Sequence, residues 1–208
     1  VGDRSPVGDR APVAGAGRGA IRELKLEARY QDGAIHATVN GDAADGGSLA
    51  IVADVDPAAA AAARASVVAR GFQLGPLARL APDALLGVRG VLDADIQLRG
   101  LVPATARVTG SARITGVQAP LADAIAALRD GTVEVTLRGA DLRVTAAGAV
   151  ESGRIDAVAT ARMNGLLPER GELDLTLAGI ELITAAAPRI DGAVHVELVR
   201  DQDRWRAV

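Results

Sequence analysis

The sequence predicts a mainly β fold, a long and highly curved antiparallel sheet with a few short helices. Apolar and polar residues alternate along most of the chain, which places them on opposite faces of β-strands. Gly, Pro, Asp and Asn interrupt this alternation where hairpin turns are expected. Hydrophobic residues make up 49% of the sequence, but aromatic residues make up only 1%. The apolar face is therefore built almost entirely from small aliphatic side chains.

The clearest strand pair is the stretch Val88–Thr115. From Val88 to Leu98 every second residue is apolar or glycine, and the residues between them, apart from Val91, are polar. A turn over Gly100–Pro103 follows, and the alternation resumes at Ala104. Two such strands joined by a short Gly/Pro turn form an antiparallel hairpin. The rest of the chain repeats this sheet surface.

Residues 1–19 are predicted to be a disordered linker that precedes a β domain over residues 20–208. They contain the hexapeptide VGDRSP, the near copy VGDRAP and the stretch VAGAGRG, without an apolar period. Gly15, Gly17 and Gly19 are spaced as in a glycine-rich phosphate-binding loop, but no strand precedes them and no helix signal follows. Since the chain begins at Val1 and has no signal peptide, we expect a fragment or a processed chain.

The alternation predicts about eleven or twelve strands in all. The apolar positions of the other strands lie within Leu24–Tyr30, Ile35–Val39, Leu49–Val55, Ala65–Leu74, Val133–Leu137, Leu142–Ala146, Ile155–Met163, Leu173–Leu177 and Ile190–Leu198. Asp32-Gly33 and Ser152-Gly153 are turn signals. Trp205 follows the last predicted strand and is expected to anchor or cap it.

Three segments predict short helices. Asp56 and Pro57 before a run of alanines have the residue types of a helix N-cap and first turn. Pro76–Leu86 carries a helical spacing that Pro82 interrupts. Over Pro120–Arg129, the residues Leu121, Ile125 and Leu128 form one apolar stripe at helical spacing, although the resemblance described below also allows irregular extended chain there.

The apolar face of so many strands must be covered, because burial contributes roughly 25 cal/mol per Å². A sandwich covers such a face with a second sheet. A curled sheet instead forms an open groove that carries an apolar ligand, and small aliphatic side chains suit it because bulky rings fill the lumen. We expect the groove. A structural or adhesive β-solenoid or sandwich module, whose apolar face is simply a core, is the alternative.

The stretch Leu85–Gly116 resembles the repeat of TamB and AsmA-like bacterial envelope proteins. The pattern Gly90-x-Leu92, Leu98-x-Gly100, a Pro103 turn and then ARVTGSARITG carries this resemblance. The order of the later segments is also similar: DGTVEVTLRGADLRVTAAGAV, LDLTLAGIEL and IDGAVHVEL. The resemblance extends over about Ala20–Val199, whereas the scarcity of aromatics and the lack of an anchor helix depart from the family.

The resemblance implies a periplasmic segment whose parent protein is anchored to the inner membrane outside this stretch. Its β-taco groove is expected to carry phospholipid acyl chains between membranes, and some members of the family have an outer-membrane assembly barrel as partner. No enzyme activity, cofactor or metal is expected. The residues expected to line the groove are Leu92, Ala94, Ile96, Leu98, Ala106, Val108, Ala112, Ile114, Val133, Val135, Leu137, Leu142, Val144, Ile155, Leu173, Leu175, Leu177, Val194 and Val196.

Other chemistry finds little support in the residues. The net charge is −3 without a basic patch, so no nucleic-acid partner is expected, and the chain has no cysteine. His36 and His195 lie on the polar face and are interpreted as surface histidines. Asp93 and Asp95 share one polar strand face, where Arg107 and Arg113 are the expected cross-strand partners.

Overall fold

A computed structural model describes residues 21–44, 46–75, 88–121, 126–150, 153–181, 189–201 and 204–207. These residues form a single sheet of twelve strands, and their order in the sheet is their order in the chain. The strands are β1 (Ile21–Gln31), β2 (Ala34–Ala43), β3 (Ser48–Val55), β4 (Arg64–Gln73), β5 (Arg89–Arg99), β6 (Arg107–Leu121), β7 (Ala126–Arg138), β8 (Asp141–Val150), β9 (Gly153–Asn164), β10 (Leu167–Glu181), β11 (Arg189–Asp201) and β12 (Arg204–Ala207).

The predicted fold class is confirmed, because every neighbouring pair of strands is antiparallel and the sheet stays open. β1 pairs with β2 alone and β12 pairs with β11 alone, so neither end strand joins the other. At the first turn Asp32 and Gly33 both have positive φ, 52° and 82°. That geometry matches the right-handed twist of a two-residue hairpin. The expected linker over residues 1–19, with its glycines, lies outside the described residues.

The strand registers keep one apolar face continuous across the sheet. The Ala94 row, which crosses β1 to β11 through directly paired residues, contains Leu24, Gly41, Leu49, Ala69, Ala94, Ala112, Val135, Val144, Ala159, Leu173 and Val196. Beside it, the Ile96 row contains Leu26, Val39, Ile51, Val67, Ile96, Gly110, Leu137, Leu142, Ala161, Gly171 and Leu198. A one-residue slip in any pair would turn polar side chains into these rows.

The described strands form one layer. Extensive contacts join each strand only to its neighbours in the sheet, so no described element lies over the apolar face as a second sheet would. The core is correspondingly small and local. Phe72 is fully buried among Ala43, Ala69 and Ala94. This cluster occupies one margin of the apolar face near the ends of β2, β4 and β5.

Three β-bulges bend this margin of the sheet, and each consists of a glycine followed by a bulky apolar residue. Gly71, Gly116 and Gly179 have φ near +60°, and each lies at a shift in register with a neighbouring strand. The extra residue reverses the alternation, so the apolar residue that follows, Phe72, Val117 or Ile180, returns to the interior and is buried. Asp93 and Asp191 on the neighbouring strands accept hydrogen bonds from the N–H groups of Gly71 and Gly179, at 2.9 and 2.6 Å.

The helix expected after Asp56 is reduced to one three-residue 3₁₀ helix, Ala60–Ala62. The N-cap of this helix is Ala59 and not Asp56, whose Oδ1 accepts the N–H of Ala58 at 2.8 Å in the turn before the helix. The carbonyls that would continue the helix are used elsewhere. Those of Ala60 and Ala63 accept the N–H groups of Leu101 and Gly100 in the next loop. Contacts with that loop therefore override the high helix propensity of alanine.

The helix expected over Pro120–Arg129 is wrong. β6 continues to Leu121 and β7 begins at Ala126, and Ala119 pairs with Leu128 across this hairpin. Pairing between the strands satisfies the backbone groups that a four-residue helical turn would leave open. Ile125 of the expected stripe and the broken turn over Pro76–Leu86 lie outside the described residues. Trp205 lies within β12 and not after the last strand.

Candidate functional site

The apolar face of the sheet is the candidate site, because it is a continuous apolar surface that no described element covers. Leu98 and Val108 pair beside the Ile96 row, and Leu92, Ile114, Val133, Leu175 and Val194 follow one another in a further row. Of the lining positions expected from the sequence, most are half-buried, whereas Ala94 is buried and Val194 is 48% exposed. Half-burial without a covering layer is the state expected for the floor of an open groove.

Ala106 departs from the expected lining. β6 begins at Arg107, so Ala106 belongs to the loop between β5 and β6 and is only 1% exposed. Its N–H donates to the carbonyl of Val102, and the Cα of Ala106 lies close to Gly100. The tight loop therefore removes Ala106 from the accessible face, although its position in the alternation is correct.

The site also extends beyond the residues expected from the sequence. Leu24, Leu26, Val39, Ile51 and Val67 in the first four strands belong to the same two rows as the later positions. The sequence already shows the alternation of these residues, but only the register of the strands places them in the same rows as the later positions. Phe72 is a different case, because strict alternation would place it on the polar face, whereas the Gly71 bulge returns it to the apolar face.

One end of the strands carries a second concavity. A cavity of about 440 Å³ lies between the loop before β6, the β7–β8 turn and the β9–β10 turn, with Ala104, Ala140 and Met163 among its lining residues. The N–H of Leu166 donates to the carbonyl of Pro103 at 2.7 Å, so the loop reaches past the β7–β8 turn. This contact brings strands that are not neighbours closer at that end, as curvature of the sheet requires.

The opposite face is polar and carries exposed ion pairs. His195 on β11 contacts Asp174 on β10 at 2.6 Å and Glu197 at 3.8 Å. The hydrogen bond to Asp174, with its negative charge, raises the pKa of His195 above the ordinary 6.5. A raised folded-state pKa stabilises the fold fully below the unfolded value, and the contribution disappears as pH rises through the folded value. His36 pairs with Asp54 in the same way, so both histidines join strands.

Asp93 and Asp95 each contact a group on β4. Asp93 accepts the bulge N–H of Gly71, while Asp95 lies 3.8 Å from Arg70. Arg113 lies directly opposite Asp93 as expected and also contacts Glu134 on β7 at 3.4 Å, whereas Arg107 lies opposite Arg99. Cavities of about 380 Å³ on this face are lined largely by such charged and hydroxyl side chains. These contacts hold neighbouring strands together and leave the acidic groups engaged.

The described residues contain no group of three or more His, Asp or Glu side chains arranged to hold a metal ion. Within the same residues, no helix has the length and apolar character needed to cross a membrane. No protein-family model, curated protein or solved structure matches the chain.

The two faces of β6 are expected to differ in their access to water. Val108 is half-buried on the apolar face, and the adjacent Thr109 is exposed on the polar face. Spin labels placed singly at the two positions should therefore differ severalfold in collision rate with a water-soluble relaxation agent, with the lower rate at Val108. Equal rates at both positions would contradict the assignment of the faces. Far-UV circular dichroism of each labelled protein controls for folding.

Proposed function

We propose that the apolar face is a segment of a lipid-conducting groove that carries phospholipid acyl chains between membranes in the bacterial envelope. The observation that carries this proposal is the unbroken course of the Ala94 and Ile96 rows across eleven strands. A ligand that moved along the Ile96 row would meet only aliphatic side chains and glycine, whereas the Ala94 row is covered at Ala69 and Ala94 by the Phe72 cluster. A protein core needs no such continuity in one direction, whereas a path for a long apolar chain does.

The energetics support an acyl chain as the ligand. Each methylene transferred from water to an apolar surface contributes about 0.8 kcal/mol when it is fully buried. At ~4.8 Å per strand, twelve strands span on the order of 55 Å, so several strands share one acyl chain. Because successive positions are chemically alike, the chain gains similar free energy at each one, which favours sliding over tight binding at one place.

The side chains that line the face also suit a passage. Alanine, valine, leucine, isoleucine and glycine make up the two rows, and the fully buried Phe72 lies outside both of them, at the Gly71 bulge opposite Leu92. The polar face presents charged groups to water along the same strands, which keeps the two surfaces distinct. The periplasmic location, the inner-membrane anchor outside this stretch and an outer-membrane barrel partner follow from the resemblance to TamB and AsmA-like proteins and belong to the same proposal.

Site-specific photocrosslinking tests the proposal with an adjacent pair of neutral residues. Ile96 is half-buried in the middle of the apolar face, and Gln97 is exposed on the polar face. With benzoylphenylalanine at one position or the other and vesicles that contain radiolabelled phospholipid, we expect lipid adducts at least several times more abundant from position 96. Native mass spectrometry of the unmodified chain should detect the same phospholipid class bound.

Equal and low crosslinking from both positions would overturn the proposal. The alternative, a structural or adhesive module without a lipid ligand, predicts that result and predicts no phospholipid in the native mass spectrum. Strong crosslinking from position 97 alone would assign lipid contact to the polar face and would also overturn the proposal. Circular dichroism confirms in each case that the substituted chain retains its sheet.

A further inference from the structure

The outer edge of β1 is the longest unpaired strand edge that the structure describes. β1 has eleven residues, and its only described partner is β2. Its apolar face is also the most exposed in the sheet, with Leu24 58%, Leu26 68% and Tyr30 74% exposed. An edge of this kind offers a row of backbone N–H and C=O groups to another strand. The question is therefore which strand fits it.

The polar face of β1 carries charges of alternating sign: Glu23, Lys25, Glu27 and Arg29. Within one chain these groups pair along their own strand, with Lys25 2.6 Å and Arg29 3.9 Å from Glu27. Glu23, Lys25 and Arg29 are exposed and the Glu27 side chain is 43% exposed, so these groups are available for exchange with a neighbour. Natural edge strands that avoid pairing usually carry repelling charges, whereas this alternating pattern attracts a strand with the opposite order.

We propose that β1 pairs with β1 of a second copy of this chain, antiparallel and centred on Leu26. In that register Glu23 faces the other copy's Arg29 and Lys25 faces its Glu27, and the two-fold symmetry repeats both contacts. Leu26 faces its own symmetry mate, and Leu24 faces Ala28. Every charged residue from 23 to 29 then lies opposite a residue of the opposite sign, and Leu24, Leu26 and Ala28 lie opposite apolar residues, while Tyr30 lies opposite Arg22.

Neighbouring registers are excluded by the same charges. A shift that centres the pair on Lys25 places lysine opposite lysine and Glu23 opposite Glu27. A shift that centres it on Glu27 places glutamate opposite glutamate and Lys25 opposite Arg29. Shifts that pair odd-numbered with even-numbered residues would turn the apolar faces of the two copies to opposite sides of the joined sheet. The Leu26 register alone satisfies all four charges and keeps the apolar face continuous between copies.

The test uses the full 208-residue chain in sedimentation velocity over a range of concentrations. We expect a dimer that weakens as salt is raised, because its ion pairs are exposed. Lys25→Glu and Glu27→Lys each place like charges opposite one another, and each variant alone should dissociate at least about tenfold more readily. An equal mixture of the two variants should regain the dimer, since positions 25 and 27 of the different copies then carry opposite charges.

The mixture separates contact between copies from effects within one chain, because neither variant retains the Lys25–Glu27 pair of its own strand. The natural absence of cysteine allows a second test. Leu26→Cys should give a covalent dimer on mild oxidation, since the two sulfurs face each other across a strand pair, whereas Leu24→Cys should give little. A chain that stays monomeric, a dimer insensitive to both charge variants, or a mixture that stays monomeric would each overturn the proposal, and the last two would assign association to another surface.

Discussion

Val135→Asp is expected to abolish most of the phospholipid binding that we propose for the apolar face and to leave the sheet folded, whereas Thr136→Asp should leave both unchanged. Val135 lies in the Ala94 row between Ala112 and Val144, near the middle of the sheet. A carboxylate there has no cationic partner among its apolar neighbours, and an acyl chain that covers it must displace its water. That desolvation costs several kcal/mol, which corresponds to at least about a hundredfold loss in affinity.

Thr136 provides the matched control, because it is the next residue of β7 and points to the polar face. It lies opposite Ser111 and Arg143, so an introduced carboxylate gains a cation across the strand pair. Phospholipid binding to each variant is measured by native mass spectrometry, with far-UV circular dichroism as the folding control. Because the face is open to water, the empty Val135→Asp protein should fold. Retained lipid binding by Val135→Asp together with loss in Thr136→Asp would show that the faces are assigned the wrong way round.

Phe72→Ala is expected to cause the largest loss of stability among single core substitutions. Phe72 is the largest fully buried side chain that the structure describes, and it joins β2, β4 and β5 through Ala43, Ala69 and Ala94. Truncation of a buried phenylalanine typically costs about 3–5 kcal/mol, and the small alanines around it have no side-chain length with which to fill the space. That loss is a large part of the total stability of an ordinary domain.

Tyr30→Ala is the aromatic control for this prediction. Tyr30 lies on the edge strand β1 and is 74% exposed, so its truncation should change the free energy of unfolding by no more than about 0.5 kcal/mol. Urea denaturation followed by far-UV circular dichroism, at low protein concentration, measures both variants. Similar midpoints for the two would mean that the Phe72 cluster does not contribute to the cooperative core.

The strands and their faces were predictable because the alternation of apolar and polar residues is a local property of the sequence. The Val88–Thr115 hairpin and the Asp32-Gly33 turn were predicted from neighbouring residues alone, and the sheet contains both. The two described helix predictions were wrong for a reason that is not local. The local sequence of the alanines before Ala63 and of the stripe through Leu128 is compatible with a helix. In the fold, the backbone groups of both segments form hydrogen bonds with another part of the chain.

The contacts that could not be predicted from the sequence depend on the register of the strands. Asp174 is distant from His195 in the sequence, and only the pairing of β10 with β11 makes them partners. Strict alternation would place Phe72 on the polar face, and only the extra residue at Gly71 returns it to the apolar face. The sequence did contain a signal for these bulges. Gly71, Gly116 and Gly179 each follow a residue on the polar face and precede a bulky apolar residue. Three occurrences of that order indicate a bulge more reliably than one.

The agreement between strand order and chain order has a consequence for how the protein folds. Each strand needs only the strands immediately before and after it, so the sheet is built from pairs of consecutive strands and the contact order is low for a β protein. Such a chain behaves as a one-dimensional array, in which a stable hairpin nucleates and pairing spreads outward in both directions. Amide hydrogen exchange should then be slowest near the β6–β7 hairpin and should quicken strand by strand towards both ends of the sheet.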